Sequence, residues 1–413
     1  MTARRLDPAL VVVLGGISAA LHVGKLPPAL PVLGEALGVT LLQAGFLLSL
    51  VQLAGMTLGL PVGLAADSLG LKRTMVGGLA ILSLASLLGG WARGPETLML
   101  LRGVEGLGFL LAAMPAPSLI RRLVDPARMN TTLGLWGAYM PFGTAVALLC
   151  GPLFMVWAGW QGWWWLLAAA SSLMALWLWV ALPPDGNHSH LRGSGGAQGW
   201  FERLRRTLSS AGPWLVALSF AVYSSQWLAV IGFLPSMYAQ AGLSAAVAGP
   251  ATALAAAVNM GGNIASGRLL QQGLRPERLL YLGFLTMGLG GFFAFAPILD
   301  AIDARLAAGL RYGCVLMFSL VGGLIPGTLF SLAVRLAPGE RTISTTVGWM
   351  QQWSALGQFV GPPLVAWVAT RAGGWHWSWV VTGGCAAAGL GLAAFIGALL
   401  RREPYSSKRE TAT

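Results

Sequence analysis

The sequence predicts an all-α, polytopic membrane protein whose twelve transmembrane helices form two six-helix pseudo-repeats. Composition is the first observation behind this prediction: hydrophobic residues make up 56% of the 413 residues and charged residues 10%, with a mean hydropathy of +0.70. A soluble core of this length does not need so many apolar residues. The second observation is a series of apolar runs, each long enough to cross about 30 Å of hydrocarbon as a helix. These spans, numbered 1 to 12, are residues 9–31, 41–64, 75–92, 96–120, 130–156, 162–182, 212–239, 245–270, 279–299, 306–334, 344–370 and 376–400.

The polar segments between the spans define the domain organisation. The N-terminal arginines and the following apolar run could form a signal peptide, but no small-residue cleavage site precedes Lys25, and we interpret the run as span 1. Residues 183–211 are rich in Gly and Ser and then in Arg, which predicts a flexible cytoplasmic linker followed by a surface helix. The predicted units are a six-helix bundle over 1–182, the linker over 183–211 and a second bundle over 212–413. His188 and His190 lack further ligand residues, and the three cysteines stand in separate runs, so no metal site or disulfide framework is predicted.

The basic residues predict the orientation of the chain. With the N-terminus inside, 20 of the 26 Lys and Arg residues fall in cytoplasmic segments, and the outer loops hold only Arg93, Arg305 and Arg371. Because an excess of Lys and Arg marks cytoplasmic loops, both termini are expected in the cytoplasm. The net charge of +12 therefore reflects membrane topology, and no nucleic-acid partner is expected.

The third observation is that the two halves of the chain repeat each other in four places. The matched runs occur in the same order with offsets of 204 to 214 residues, which argues against chance. Six-plus-six parallel repeats about an axis along the membrane normal form a known transporter architecture. The runs are Gly24-x-Leu26-Pro27 with Gly232-x-Leu234-Pro235, Gly38-Val39-Thr40 with Gly242-Leu243-Ser244, Leu101-Arg102 with Leu310-Arg311, and Thr131-Thr132-x-Gly134 with Thr345-Thr346-x-Gly348.

The stretch GLAADSLGLKRTM, residues 63–75, joins spans 2 and 3. It resembles the cytoplasmic loop signature of the major facilitator superfamily, in which Gly-x-x-x-Asp-x-x-Gly and basic residues join the second and third membrane helices. Together with the repeat, the resemblance covers essentially the whole chain and implies a transporter that works by alternating access. It implies a gating role for Asp67, Gly70, Lys72 and Arg73. We expect Asp67 to approach the N-terminus of span 11, where a carboxylate is favoured, and Lys72 or Arg73 to link the two halves.

Two further stretches resemble family signatures. Arg102-Gly-Val-Glu105-Gly106-Leu-Gly108 resembles the fourth-helix motif, with Glu105 where glutamine is common. With the positively charged first helix, it is similar to the cyanate permease-like anion transporters. The glycines from Gly348 to Gly361 have the spacing of the antiporter motif but lie in span 11 instead of span 5, so we interpret them as sites of close helix packing.

Three basic residues fall within the spans and need an explanation, since a charge at membrane depth costs about 2.5–3.5 kcal/mol even on insertion scales. Lys25, Arg102 and Arg311 lie about six residues from the outer ends of spans 1, 4 and 10. One interpretation is that the long side chains reach the outer interface or are paired for structural reasons. The other is a cationic ring that binds an anionic substrate. The sequence leaves both open, and predicts that Lys25, which the repeat matches with Phe233, binds the negative charge.

Other polar residues in the spans could complete the site. Glu105 lies one turn after Arg102, where it either neutralises the arginine or binds a proton coupled to transport. His22 lies one turn before Lys25 and is a further substrate-binding candidate. Gln226, Asn259 and Gln351 are candidates in the second half, with an interhelical hydrogen bond as the alternative for Asn259. The tryptophans near span ends, such as Trp160 and Trp163 to Trp165, are predicted to be interface anchors.

The sequence therefore predicts a secondary active transporter that moves a small anion across the inner membrane of a bacterium, with proton coupling as an option. The alternative is an exporter of drugs or metabolites, although exporters of cations usually need a membrane carboxylate and Glu105 is the one available. The spans lack a nucleophile–base pair or metal cluster, so an enzyme is not expected, and no cofactor is predicted. The expected partners are the lipid bilayer and a small-molecule substrate, and the protein is expected to be a monomer.

Overall fold

The structure, a computed structural model, describes residues 7–125, 128, 132, 135–185 and 197–402. The side chains of residues 63–69, 197, 198, 200, 341 and 402 lie outside the described part. Within these limits every regular element is a helix.

The N-terminal half contains spans 1 to 6. Span 1 is divided by a 3-10 turn at Pro27–Ala29, and span 2 by a similar turn at Leu50–Gln52. Spans 5 and 6 are two helices that meet at a kink at Gly159, where the backbone leaves the helical conformation at a φ of 68° that favours glycine. The helices of this half are Pro8–Gly24, Leu30–Leu37, Leu41–Ser49, Leu53–Leu69, Leu71–Gly89, Pro95–Ala113, Ala116–Leu123 and Tyr139–Ala181.

The C-terminal half contains spans 7 to 12, preceded by the short helix Ala197–Leu208 of the linker. On this linker helix Arg206 and Arg205 hydrogen-bond to Glu202 and hold the pKa of that carboxyl below its usual range. Span 10 is divided at Gly323, and span 12 follows a 3-10 turn at Trp375–Trp377. The membrane helices of this half are Ala211–Gln240, Ala245–Gln271, Pro276–Phe295, Ala304–Gly322, Leu324–Arg335, Ile343–Ala372 and Ser378–Arg402.

The helices account for all twelve spans. In the described residues, nine helical segments are long and apolar enough to cross a membrane, and one of them, Tyr139–Ala181, contains both spans 5 and 6. Spans 8 and 11 have 27 and 30 residues, and at about 1.5 Å per residue each is longer than the hydrocarbon core is thick. Spans 8 and 11 are not among the nine apolar segments of the described residues because their many small and polar residues lower their hydropathy. The prediction of a twelve-helix, two-repeat fold is confirmed.

Each half has its own apolar core, and a third core cluster joins them. Val12, Met75 and Leu178 belong to the core of the first half, and Phe284 and Phe318 to that of the second. The joining cluster combines spans 1 and 2 with spans 7 and 11, through members such as Leu26, Leu47, Phe233 and Ala366. Two glutamine contacts also cross between spans 2 and 11: Gln52 Nε2 donates to Gln358 Oε1 at 3.0 Å, and Gln352 Nε2 to the carbonyl of Met56 at 2.8 Å.

Span 1 is longer than its predicted boundaries of 9–31. It extends over Pro8–Leu37, so Lys25 lies well inside the span and not near its end. This position determines what the side chain of Lys25 can reach.

Candidate functional site

Four ionisable side chains meet inside the N-terminal half: His22, Lys25, Arg102 and Glu105, which we call the charged cluster. His22 and Lys25 are 0% exposed, and Arg102 and Glu105 are 2% exposed. Spans 1 and 4 supply two residues each, so the cluster forms where these two helices approach each other. Four such groups buried in membrane spans are unusual, since each carries a large desolvation cost unless it is paired.

Glu105 is the anion at the centre of the cluster. Its Oε1 accepts a hydrogen bond from the ammonium of Lys25, and its Oε2 accepts one from Arg102 Nη1 at 2.7 Å. Arg102 and Glu105 are three residues apart on one helix face, which brings the two side chains together. Arg102 also donates from Nε to the carbonyl of Leu47 at 3.1 Å and from Nη1 to the carbonyl of His22 at 2.6 Å. The carboxylate therefore links span 4 to span 1 through Lys25, and Arg102 adds a second link through the carbonyl of His22.

Lys25 lies where span 1 is interrupted. The backbone N–H of Ala29 bonds to the carbonyl of Leu26, which leaves the carbonyl of Lys25 to accept from Trp163 Nε1 at 3.2 Å. Its ammonium donates to Ser86 Oγ at 3.0 Å and lies 4.6 Å from the ring centroid of Trp164, within the range of a cation–π contact. Snorkelling to the outer interface is therefore wrong for Lys25, because its side chain is buried and paired with Glu105 inside the bundle.

His22 forms the edge of the cluster towards span 6. Its Nε2 lies 2.8 Å from Ser171 Oγ, and that hydroxyl lies 3.3 Å from Ser18 Oγ. Its Nδ1 lies 3.9 Å from Glu105 Oε1 and has no hydrogen-bond partner among the described residues. With a neutral imidazole, the cluster contains two cations and one carboxylate.

Arg311 lies apart from the charged cluster. Its side chain is 35% exposed and pairs with Asp300, in the turn Pro297–Ala301 that precedes span 10. The structure thus brings Lys25 and Arg102 together and leaves the third predicted cation in the other half, bound to an exposed carboxylate.

The three candidates in the second half differ from one another. Asn259 is buried and satisfied: its Nδ2 donates to Tyr223 Oη at 3.0 Å and to the carbonyl of Ser319 at 2.9 Å. This is the interhelical hydrogen bonding given above as its alternative role. Gln226 is 0% exposed, and neither atom of its amide has a hydrogen-bond partner in the described structure. Gln351 is exposed on span 11.

The loop between spans 2 and 3 is described in part. The side chain of Asp67 lies outside the described residues, while Gly70 has a φ of 93° and supplies the turn before span 3. Lys72 donates to the carbonyl of Leu182 at 2.6 Å, and the backbone N–H groups of Lys72 and Arg73 donate to the carboxylate of Asp185 at 3.0 and 3.1 Å. These contacts join spans 3 and 6 of the same half, with Asp185 at the positive N-terminus of span 3.

Sequence reasoning missed several residues around the cluster. Ser86 and Ser171 are small residues in apolar runs and carry no signal that separates them from other packed serines. Trp160, Trp163 and Trp164 are 3%, 2% and 1% exposed, so their prediction as interface anchors is wrong. Span 6 begins directly after a kink at Gly159, and its first turn packs inward: Trp163 donates to the carbonyl of Lys25 in span 1, and the carbonyl of Trp164 accepts from Ser86 in span 3.

Among the described residues, no group of three or more His, Cys, Asp and Glu side chains is placed to hold a metal ion. The bundle of twelve membrane helices in two repeats, with a charged cluster buried in one of them, has the architecture of a secondary transporter. Residues 12–357 match the Major Facilitator Superfamily, and the chain belongs to this family, whose members are transporters.

Three known proteins are similar to the chain in sequence, and two of them are named as transport proteins. It is 28% identical to the 4-hydroxybenzoate transporter PcaK of Pseudomonas aeruginosa, over 90% of this chain and 87% of that protein. It is 34% identical to the puromycin resistance protein pur8 of Streptomyces alboniger over 38% of this chain, and 28% identical to the inner membrane transport protein YajR of Escherichia coli (strain K12) over 53%. These two matches span 31% and 47% of those proteins. The cyanate permease-like subfamily is not confirmed.

Two solved structures share the fold. A bacterial homolog of the human lysosomal transporter Spinster, in an inward-facing and unoccupied conformation, is 18% identical with a TM-score of 0.75, covering 97% of this chain and 96% of that chain. A D-xylose–proton symporter is 15% identical with a TM-score of 0.74, covering 95% and 97%. At these identities the likeness concerns the fold alone.

Proposed function

We propose that the protein is a secondary transporter that moves a small organic anion across the membrane together with a proton. The observation that carries the proposal is the charged cluster, in which two cations share one carboxylate inside the membrane spans. The similarity to PcaK, which is named for an aromatic carboxylate, supports an anionic substrate.

In this proposal Glu105 is the proton site and Lys25 is the anion site. While Glu105 is ionised, it accepts from the ammonium of Lys25 and neutralises it. A proton on Glu105 removes that negative charge, so the ammonium becomes available to a solute carboxylate. Arg102 stays close to Glu105 in both states through its bonds to the carbonyls of Leu47 and His22. Proton and anion then favour each other's binding, because both favour the same state of the cluster.

The second half supplies neutral contacts in this proposal. Gln226 is the preferred candidate, since a buried amide without partners is costly unless a ligand or water satisfies it. Gln351 is a second candidate because its side chain is exposed on span 11. Asn259 is assigned to interhelical bonding and Arg311 to its pair with Asp300.

The proposal includes a location and a gate. Twenty basic residues in the predicted cytoplasmic segments against three in the outer loops, and relatives from bacteria, support the inner membrane of a bacterium with both termini inside. Asp67 is proposed to stabilise the closed cytoplasmic side by approaching the N-terminus of span 11. Gly70 and Lys72 position this loop against Asp185 and Leu182. The protein is proposed to act as a monomer without a nucleic-acid partner.

Uptake of 4-hydroxybenzoate into proteoliposomes tests the anion site, alongside a panel of other anions and cations screened by thermal stabilisation of the purified protein. A charge-assisted contact contributes about 1.5–3 kcal/mol, so Lys25→Ala should lower anion affinity about ten- to a hundredfold while Lys25→Arg retains part of it. Arg305→Ala changes an exposed cation outside the cluster and serves as the control. Normal anion uptake by Lys25→Ala, or stabilisation by cations alone, contradicts the proposal.

An exporter is the second candidate function, and the match to the puromycin resistance protein favours it. A cationic drug would need a free carboxylate, whereas Glu105 is already bound by Lys25 and Arg102. Thermal stabilisation by puromycin together with puromycin efflux from vesicles would support this candidate over anion uptake.

A further inference from the structure

We propose that His22 carries the proton to and from Glu105, and that the hydroxyls of Ser171 and Ser18 form the part of the relay that is farther from Glu105. This rests on the proposed proton coupling and names the route that the proton takes. The observation is a row of polar groups that leads from Ser18 to the carboxylate, with one gap of 3.9 Å between His22 and Glu105.

The chemistry of the cluster selects His22 for this role. Glu105 contacts two cations, and Arg102 stays protonated in proteins, so it donates hydrogen bonds and does not exchange the proton. Loss of the Lys25 proton would remove the charge that the anion needs. His22 is the neighbour that can accept a proton on one nitrogen while it donates from the other. The remaining group bonded to its ring is the hydroxyl of Ser171 on span 6.

The geometry gives the relay a direction. Ser18 lies one turn before His22 and is 7% exposed, whereas the other members of the row are deeper. Ser171 Oγ lies between Ser18 Oγ and His22 Nε2, at 3.3 and 2.8 Å. The last gap, 3.9 Å from His22 Nδ1 to Glu105 Oε1, must shorten by about 1 Å to form a hydrogen bond. The open gap and the unpartnered Nδ1 describe a relay that is interrupted in this conformation.

The proton balance is simple. Ser171 donates its hydroxyl proton to His22 Nε2 and takes a replacement from Ser18, whose hydroxyl in turn takes a proton from water at the start of the row. His22 releases the proton on Nδ1 to Glu105, which changes from carboxylate to carboxylic acid. One proton enters the row and one arrives at Glu105, and the imidazole is left protonated on Nε2 until the ring turns or the steps reverse.

A neighbouring serine pair provides a matched control. Ser83 Oγ lies 2.6 Å from Ser172 Oγ and donates to the carbonyl of Ala168 at 2.7 Å. This pair also joins membrane spans through hydroxyl groups, and Ser172 is adjacent to Ser171 in sequence, but its described bonds do not include His22 or Glu105. Ser172→Ala thus reproduces the chemical change of Ser171→Ala outside the relay.

The experiment compares proton-driven uptake with counterflow of 4-hydroxybenzoate in proteoliposomes. Counterflow exchanges labelled for unlabelled solute without net proton movement, so the ratio of the two rates reports proton delivery. His22→Gln should lower this ratio about a hundredfold, the usual effect of losing a positioned acid–base group. Ser171→Ala should lower it about fivefold, as expected for one lost hydrogen bond, and Ser172→Ala should leave it unchanged.

The outcomes separate the relay from the proposed function. A wild-type ratio in both His22→Gln and Ser171→Ala, with pH-dependent uptake that Glu105→Gln abolishes, overturns the relay and leaves the transporter proposal intact. Uptake by the wild-type protein that ignores an imposed pH gradient overturns proton coupling and the relay together. If His22→Gln fails to fold in a thermal unfolding assay, the comparison of Ser171→Ala with Ser172→Ala decides.

Discussion

The two halves of the molecule share a scaffold but differ in the chemistry at equivalent positions. Lys25 in span 1 corresponds to Phe233 in span 7, and Glu105 in span 4 corresponds to Cys314 in span 10. Phe233 is 0% exposed, as Lys25 is, but its ring packs 5.1 Å from that of Trp375. One half therefore buries an ion cluster where the other buries an apolar contact.

This difference indicates that a six-helix bundle of this fold can form without the buried charges of the charged cluster. The second half positions its helices with neutral hydrogen bonds, in which Asn259 joins Tyr223 and the carbonyl of Ser319, and Trp227 Nε1 donates to Ser319 Oγ at 3.1 Å. Neutral bonds of this kind satisfy buried polar groups without the desolvation cost of ions. The ion cluster in the first half is more expensive than packing requires, which favours a role in binding or coupling.

The largest difference in stability loss between the two halves is expected when the central anion, Glu105, is removed. Glu105→Ala leaves two buried cations without a counter-charge, and breaking a buried pair in this way costs about 3–5 kcal/mol. Cys314→Ala changes the equivalent residue of the second half, which is only partly buried, and should cost less than about 1 kcal/mol. Denaturation of the detergent-purified variants measures both. Similar losses at the two positions would show that Glu105 is a packing residue like its counterpart.

An intermediate effect is expected from the neutral network of the second half. Asn259→Ala removes the donor to Tyr223 and Ser319, and hydrogen bonds between membrane helices contribute about 0.6 kcal/mol on average and at most about 1.7. Anion affinity should stay at the wild-type value, because Asn259 is not assigned to the solute. Thermal unfolding and uptake on the same preparation check the two expectations. A large loss of affinity with unchanged stability would return Asn259 to the substrate site.

The contact between the halves can be tested by a double-mutant cycle on Gln52 and Gln358. Their hydrogen bond crosses from span 2 to span 11, so it exists only while these spans lie together. Each alanine variant should lower stability by about 0.5–1.5 kcal/mol, and the double variant should cost less than the sum. Additive losses would mean that the two amides do not interact in solution.

Much of this fold could be predicted from the sequence because the bilayer imposes simple requirements. Each span needs about 20 apolar residues, and the repeated Gly and Pro positions, such as Gly24 and Gly232, mark equivalent helices. The pairing of Arg102 with Glu105 was also predictable, because a spacing of three residues places both on one helix face.

The rest of the site depends on contacts that sequence spacing does not encode. Lys25 reaches Glu105 across 80 residues, and Ser171 lies 149 residues from His22. Trp164 lies near a span end, and an indole at such a position can either anchor the helix at the membrane interface or pack into the protein. The sequence does not distinguish these two roles. The kink at Gly159 between spans 5 and 6 decides between them, and the sequence does not show which glycine of an apolar run adopts a positive φ.

The smallest effect is expected at Arg311, the repeat counterpart of Arg102. Arg311 pairs with Asp300 while 35% and 61% of the two side chains remain exposed, whereas Arg102 is 2% exposed and bonded to Glu105 and two carbonyls. An exposed ion pair contributes about 0–1 kcal/mol and weakens with salt, so Arg311→Ala should lower stability by no more than that, with the difference disappearing at high salt. Arg102→Ala should cost about 3–5 kcal/mol at any salt concentration, because its partner is then left buried with less compensation. Unfolding curves of both variants at low and high salt make the measurement. A large, salt-independent loss for Arg311→Ala would mean that the two arginines play the same part in their halves, and that the asymmetry is confined to Lys25 and Glu105.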